Sequence, residues 1–132
     1  MVFQLTRLIF DRKTQIKIKL CNSIYLDDII EINDSVYKLY SIICHKGDSI
    51  SGHYFSYIFS FETGKWFIFN DDTVEEVNII EEIEVILQNA YLIFYQKDKN
   101  EFTLKEISTE IRAAFGKKIL TYLVDFRKVN LF

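Results

Sequence analysis

The chain has 132 residues and a formal net charge of −3, and hydrophobic residues make up 49% of it. This composition is too apolar for disorder, and the length predicts one domain with a core of moderate size. The acidic balance favours neither a nucleic-acid nor an anionic-membrane partner, and no apolar run is long enough to span a membrane. An early charge at Arg7 and the lack of a small-residue cleavage site argue against a signal peptide.

The two cysteines, Cys21 and Cys44, are too few for a disulfide framework. A reducing compartment, cytoplasmic or nuclear, is therefore expected. Two cysteines and two histidines without a C-x-x-C pair also argue against a structural zinc site, which needs about four ligands. No metal and no cofactor are predicted.

The N-terminal third predicts a hairpin. Residues 2–10 alternate partially between apolar and polar side chains, and residues 15–20 alternate cleanly, with a polar turn between them. This pattern predicts two paired strands, the second of them half-buried. Because the chain opens in what reads as mid-strand, we expect it to continue something upstream. Residues 26–33 are ambiguous and fit either an acidic loop or the region after a short strand that ends near Ile24.

The middle of the chain predicts a sheet. Residues 36–45 are apolar on both faces, with Val36, Tyr40, Ile42 and Cys44 expected on one and Tyr37, Leu39 and Ile43 on the other. This predicts a central strand covered on both sides. Residues 74–77 predict a short strand, residues 79–88 a short helix and residues 90–95 another buried strand.

Two aromatic runs, residues 53–61 and 65–69, flank the turn signal Glu62-Thr63-Gly64 and predict an antiparallel hairpin. A hairpin brings its outer ends together, so His53 and Asn70 should lie roughly opposite each other. An imidazole beside a carboxamide is two thirds of a Cys-His-Asn hydrolase site. The nucleophile has to come from elsewhere.

The C-terminal tail has the pattern of a helix. Thr103 and Glu106 form a capping box, an apolar stripe runs from Leu104 to Phe115, and Gly116 follows as a stop signal. Residues 119–126 fit either a helix or a strand. The whole chain is therefore predicted to be α+β, an antiparallel sheet with short helices and a helical tail.

Four segments in succession resemble one family. They read YKLYSIICHKGD at residues 37–48, SGHYFSY at 51–57, WFIFNDDTV at 66–74 and NAYLIFY at 89–95. Together they resemble the His box and closing strands of ubiquitin-specific proteases, papain-like cysteine peptidases that cleave ubiquitin from proteins. Residues 2–19 are similar to the preceding segment of that family, although Leu8 stands where a Phe is usual. The short turn after Phe10 and the tail resemble the herpesvirus-associated subfamily most.

The resemblance implies a division of the chain. Residues 1–96 would be the C-terminal, antiparallel-sheet (palm) half of a papain-like catalytic domain, and residues 97–132 a mostly helical extension. The Gly-Asn-Thr-Cys box of the family, which lies N-terminal to the His box, does not occur in this chain. The zinc-bearing fingers and the helical thumb have no counterpart either.

The resemblance also implies roles for single residues. His53 matches the catalytic histidine, Asn70 the residue that orients it, and Asp71 the adjacent acid that assists or replaces Asn70. The loop at residues 46–52 matches the border of the channel for the ubiquitin tail. His45, Gly47, Gly52 and Tyr54 are the predicted channel residues, and the glycines suit a tail that itself ends in Gly-Gly.

Neither cysteine is predicted to be the nucleophile. Cys44 lies in a strand that is apolar on both faces, where a free cysteine behaves as a small core residue, and Cys21 follows a strand without a partner in view.

The resemblance therefore implies a cysteine-type deubiquitinase of which this chain carries only the His/Asn half, inactive alone. Ubiquitin, ubiquitinated proteins and a missing Cys-bearing half would be its partners. The alternatives are a non-catalytic ubiquitin-binding module or pseudoenzyme, and a half-domain remnant without a function of its own.

Overall fold

The structure, a computed structural model, describes residues 1–98, which form nine strands and one helix. In chain order these are β1 (Val2–Gln4), β2 (Leu8–Asp11), β3 (Ile16–Lys19), β4 (Ile29–Ile32), β5 (Ser35–Gly47), β6 (Gly52–Ser60), β7 (Lys65–Asn70), β8 (Thr73–Val77), α1 (Ile83–Asn89) and β9 (Ala90–Lys97).

Within this part of the chain, seven strands form one antiparallel sheet in the order β1-β9-β5-β6-β7-β8, and β4 also pairs with β5. Strands β2 and β3 form a separate hairpin. The predicted α+β class, an antiparallel sheet with a short helix, is confirmed for the described residues. The 13-residue β5 is the central strand, as predicted, because it has hydrogen-bonded neighbours on both sides.

The predicted faces of β5 are wrong at Leu39. The register against β9 shifts between Leu39 and Ser41, so that Tyr40 is an extra residue in the strand. Because such a bulge reverses the alternation of side chains, Leu39 shares a face with Ile42 instead of opposing it. Both side chains are buried, at 7% and 1% exposure.

The helix α1 is shorter than residues 79–88 and begins at Ile83. Its apolar side chains, Ile83 and Ile86, are buried. At the N-cap, directly before Ile83, Glu82 accepts a 2.7 Å hydrogen bond from the hydroxyl of the fully buried Tyr57 on β6. This bond and the apolar contacts fix the helix to the sheet.

The prediction of one strand over residues 2–10 is wrong. The ladder of β1 ends at Gln4 and β2 begins at Leu8, in a different sheet. Arg7 lies in the break and is only 4% exposed. Its guanidinium donates four hydrogen bonds of 2.7–2.9 Å to backbone carbonyls, and burial lowers its pKa. The acceptors belong to Leu20, Asn22, Leu87 and Ala90.

The hairpin of β2 and β3 forms as predicted, but β3 is not half-buried. Ile16 and Ile18 are 57% and 39% exposed, since the hairpin lies outside the large sheet and its apolar face stays open among the described residues. For residues 26–33 neither expectation is right, because a strand forms at Ile29–Ile32, beyond the predicted end near Ile24.

The short strand at 74–77 and the buried strand at 90–95 are confirmed by β8 and β9. The predicted tail helix and residues 119–126 lie outside the described residues. Among those that are described, no helix is long and apolar enough to cross a membrane.

Replacement of Arg7 tests whether its four hydrogen bonds hold the segment after β3 to the junction of α1 and β9, a role that we call the clamp. We expect Arg7→Met to lower the free energy of unfolding by about 2–4 kcal/mol, because four carbonyls lose a charged donor. Urea denaturation followed by tryptophan fluorescence of the chain's one Trp, Trp66, measures the change. Arg12→Met, at an exposed turn, is the control and should change stability by no more than about 0.5 kcal/mol. Equal effects of the two substitutions would contradict the clamp.

Candidate functional site

The hairpin of β6 and β7 forms around the predicted turn, with Gly64 at φ 70°. Its paired residues end at Ser56 and Phe69, so His53 lies three residues beyond the last pair. There β6 is paired only with β5, where His53 is opposite Lys46. Asn70 is paired only with Thr73 of β8. The two strands have parted, and a side-chain contact crosses the gap between them.

His53 and Asn70 make that contact. The distance from His53 Nε2 to Asn70 Oδ1 is 2.5 Å. Because a carboxamide oxygen only accepts, Nε2 carries the hydrogen and donates it. In the neutral ring Nδ1 then keeps its lone pair and is the nitrogen that can take up a proton. The imidazole, whose side chain is 48% exposed, is thus oriented as a general base.

Asp71, the next residue after Asn70, places a second side-chain oxygen near the His53 imidazole, beyond hydrogen-bonding distance. Its Oδ2 lies 3.9 Å from His53 Nε2, and its side chain is 79% exposed. The backbone at Asp71 has φ 51°, a left-handed conformation that Asp tolerates better than most residues, and the turn is tied by Thr73 Oγ1 donating to the Asn70 carbonyl at 2.7 Å. The exposed carboxylate can support an imidazolium only weakly, since water screens it.

The predicted channel residues form a second group on the other face of the sheet. His45 and Tyr54 are paired across β5 and β6, and their rings are 4.6 Å apart. Neighbouring side chains of a strand point to opposite faces, so Tyr54 and His53 diverge. His45 is 7% exposed, and this burial lowers its pKa and favours the neutral ring. Gly52 and Tyr54 adjoin His53 in the chain, but among the described residues no hydrogen bond or ring contact joins the side chain of His45 or Tyr54 to that of His53 or Asn70.

The two glycines are required by the hairpin itself. A Cβ at Gly52 would lie 2.0 Å from His45 Nε2, and one at Gly47 would lie 2.5 Å from the Cα of Gly52. Gly47 also has φ 131°, which L side chains rarely adopt. Close approach of the chain to itself therefore accounts for both glycines, and their contact with a ubiquitin tail stays a prediction.

The two cysteines differ in environment. Cys44 is fully buried, and burial raises its pKa to about 12. Since the thiolate is the nucleophilic form, Cys44 is inert near neutral pH. Cys21 is exposed. The described residues contain no group of three or more His, Cys, Asp or Glu side chains that could hold a metal ion.

Lys19 is a site contact that the sequence does not reveal. Its ammonium donates to the carbonyls of His45, at 2.5 Å, and Gly47, at 3.0 Å. Both carbonyls flank Lys46, the residue opposite His53. In an alternating strand Lys19 looks like the solvated Lys17, and only the fold distinguishes them. The buried hydrogen bonds of Arg7 likewise depend on the fold and cannot be predicted from its local sequence.

The fold, mostly antiparallel sheet with one short helix, is that of the papain-like deubiquitinases. Residues 1–95 match the ubiquitin carboxyl-terminal hydrolase family. The chain belongs to this family, whose members are hydrolases.

Individual relatives carry the name of the same family. The chain is 39% identical over 77 residues to a probable ubiquitin carboxyl-terminal hydrolase 8 of Schizosaccharomyces pombe, covering 55% of this chain and 16% of the relative. It is 39% identical over 86 residues to human ubiquitin carboxyl-terminal hydrolase 43, covering 65% and 7%. The chain thus spans less than a fifth of these relatives, and it lacks the Cys box.

Solved structures match as well. A chain of the SAGA DUB module bound to monoubiquitin has a TM-score of 0.63 at 28% identity, covering 74% of this chain and 23% of that one. A chain of the same module bound to ubiquitin aldehyde has a TM-score of 0.62 at 27% identity, covering 74% and 24%.

Thiol labelling tests the inertness of Cys44. At pH 8 Ellman's reagent should react with one thiol of the native chain, since at a pKa of about 12 roughly one Cys44 in ten thousand is ionised. The Cys21→Ser variant should react with none, and urea should restore one reactive thiol in it. Rapid native labelling of that variant would show that Cys44 is accessible and activated.

A double-mutant cycle tests the contact of Gly52 with His45. Gly52→Ala should lower the free energy of unfolding by about 1–3 kcal/mol, because the new methyl group displaces the buried ring. In a His45→Ala background the same substitution should cost less than half as much. Urea denaturation measures all four variants. Costs that simply add would mean that the ring does not require the glycine.

Proposed function

We propose that this chain supplies the acid–base half of a cysteine-type deubiquitinase. The observation that carries the proposal is the His53–Asn70 hydrogen bond, which leaves His53 Nδ1 as the proton acceptor. Membership of the hydrolase family and the likeness to chains solved with monoubiquitin and with ubiquitin aldehyde support ubiquitin as the ligand.

The reaction assigns His53 two proton transfers. Nδ1 takes the proton of a cysteine thiol, and the thiolate attacks the carbonyl carbon of the isopeptide bond. The resulting imidazolium gives its Nδ1 proton to the departing lysine amine as the carbon–nitrogen bond breaks, which leaves a thioester. Neutral His53 then takes a proton from water as the water oxygen attacks the thioester carbonyl. As the carbon–sulfur bond breaks, the imidazolium returns this proton to the departing sulfur, and the released carboxylic acid loses its own proton to solvent.

Asn70 serves this cycle by holding Nε2–H in both protonation states of the ring. A fixed ring keeps Nδ1 directed at one place while the proton comes and goes. Asp71, 3.9 Å from Nε2, is a second acceptor for the imidazolium when the carboxamide is absent.

The nucleophile belongs to another segment of polypeptide. Cys44 is buried with a raised pKa, and the chain has no Gly-Asn-Thr-Cys box. The proposal therefore includes a Cys-bearing half, encoded upstream or carried by a separate chain, and a channel for the ubiquitin tail at His45, Gly47, Gly52 and Tyr54. Membership of the herpesvirus-associated subfamily and a cytoplasmic or nuclear location are part of the same proposal.

Ubiquitin with an electrophilic C-terminus tests the function. The isolated chain should not be labelled. Mixed or fused with a Cys-bearing half of the family, it should restore labelling and cleavage. His53→Ala should then reduce kcat by about 10²–10⁴-fold, the usual contribution of general acid–base catalysis. Asn70→Ala should reduce kcat by a smaller factor, because the Asp71 carboxylate lies 3.9 Å from His53 Nε2 and can replace the lost acceptor. Lys13→Ala, in the exposed β2–β3 turn, is the control.

Each other outcome has a meaning. Full activity of the His53→Ala enzyme would refute the assignment. Binding of ubiquitin by the isolated chain, with no activity after complementation by any Cys-bearing half, would instead identify a non-catalytic ubiquitin-binding module.

A further inference from the structure

The position of His53 depends on one side of its strand. The pairing of β6 with β7 stops at Ser56, so among the described residues no ladder pair on the Asn70 side holds the backbone of His53. Its backbone is fixed by pairing with β5, through the last two pairs of that ladder, Lys46 with His53 and Gly47 with Gly52. The turn at residues 48–51 closes this end of the ladder, with the Asp48 amide donating to the Ser51 carbonyl at 2.8 Å. The end of a ladder still opens more readily than its middle, so further contacts to the end of β5 help to set the distance between His53 and Asn70.

Lys19 fastens that end. Its Nζ lies 2.5 Å from the His45 carbonyl and 3.0 Å from the Gly47 carbonyl, which bracket Lys46. The third acceptor is the side-chain oxygen of Asn89 at 3.5 Å. Three acceptors match the three hydrogens of an ammonium group. Bonds from a charged donor are also stronger than those between neutral groups.

The other end of this contact is itself anchored. Lys19 is the last residue of β3, which is not part of the large sheet. The Leu20 amide donates to the Arg7 carbonyl at 2.7 Å. Ser49, in the loop between β5 and β6, donates from Oγ to the Lys17 carbonyl at 2.7 Å. β3 thus lies along the end of β5 and the turn that follows it, and three hydrogen bonds through Lys17 and Lys19 join them, of which the two from the Lys19 ammonium are charged.

We propose that Lys19 is a positioning residue for His53. It holds the terminal pairs of β5 and β6 closed, and so keeps the imidazole within hydrogen-bonding distance of Asn70. It touches neither the imidazole nor Asn70. The importance of this for catalysis rests on the proposed function, whereas its effect on the His53–Asn70 contact does not.

The test is NMR on the 132-residue chain, with the ¹⁵N shifts of the His53 imidazole as the measurement. Asn70→Ala defines the shift change for complete loss of the hydrogen bond. Lys19→Met, which keeps the aliphatic stem, should produce at least half of that change, and the double variant with Asn70→Ala should not exceed the change seen for Asn70→Ala alone. Lys19→Arg, which keeps a charged donor, should restore most of the native shifts. Lys17→Met, exposed on the same strand, should have no effect.

Hydrogen exchange gives a second measurement. The Asp48 amide donates to Ser51 at 2.8 Å in the loop that follows Gly47, and Lys19→Met should speed its exchange about tenfold, as expected for local fraying. The Gly64 amide donates to Ser60 at the opposite end of β6 and should keep its rate. A purely global loss of stability would move both amides together.

Several results would overturn the proposal. One is a folded Lys19→Met chain with native His53 shifts. If that variant does not fold, Lys19→Gln, which keeps a neutral donor, takes its place and is judged in the same way. Unfolding of both, with Lys17→Met folded, would show that Lys19 supports the whole fold and does not position His53 in particular.

The two proposals fail separately. A His53 that responds to Lys19→Met in a chain that no Cys-bearing half can activate would leave the positioning role intact and refute the deubiquitinase. An active complemented enzyme in which His53 ignores Lys19 would do the reverse.

Discussion

The central strand β5 is the constraint on which the rest of the structure depends. It pairs with β4 and β9 and continues along β6 beyond the point where β6 parts from β7. Its 13 residues supply two of the four largest fully buried side chains of the described core, Ile42 and Cys44, and the turn that follows it leads into the strand that bears His53. A site that spans parted strands needs such a support, because each half of the contact is held by a different neighbour.

Two cations, both bound to backbone carbonyls, join the N-terminal segment to this framework. Arg7 donates hydrogen bonds to backbone carbonyls of two separate segments, the one after β3 and the junction of α1 and β9. Lys19 gathers carbonyls from the end of β5. Carbonyls at ladder ends and helix ends lack regular partners, and a charged donor satisfies several of them at once. The separate β2–β3 hairpin is thereby held in place although it shares no ladder with the large sheet.

Periodicity predicted the elements well where one face or both faces are buried. The strands on either side of the Glu62–Gly64 turn, the central strand and the last strand all lie where apolar alternation or apolar runs indicated them. It failed where tertiary contacts decide. Nothing local shows that the chain breaks at Arg7 to leave one sheet for another, that Tyr40 is an extra residue, or that the apolar face of β3 stays open.

The site divides in the same way. Turn chemistry and hairpin geometry were enough to predict that His53 and Asn70 lie at the same end of the sheet, because His53 lies near the start of β6 and Asn70 ends β7, the next strand of the same hairpin. The register could not be predicted, and it matters: the residues are not a ladder pair, and a side-chain bond bridges strands that have separated. Lys19 could not be predicted at all, since its partners lie 26 and 28 residues away in the chain.

This arrangement explains how the acid–base half of the proposed catalytic site can be organised without its nucleophile. The contacts that orient the His53 ring arise within the three consecutive hairpins from β5 to β8, and the supporting contact from Lys19 lies in the same described unit. None of these bonds requires a thiol. In the proposed reaction, orientation of the His53 ring is therefore supplied by this chain, whereas ionisation of a cysteine would depend on another segment of polypeptide that brings a thiol to Nδ1. In the proposed reaction, the His53–Asn70 contact can therefore form without the cysteine-bearing segment, but bond cleavage needs both.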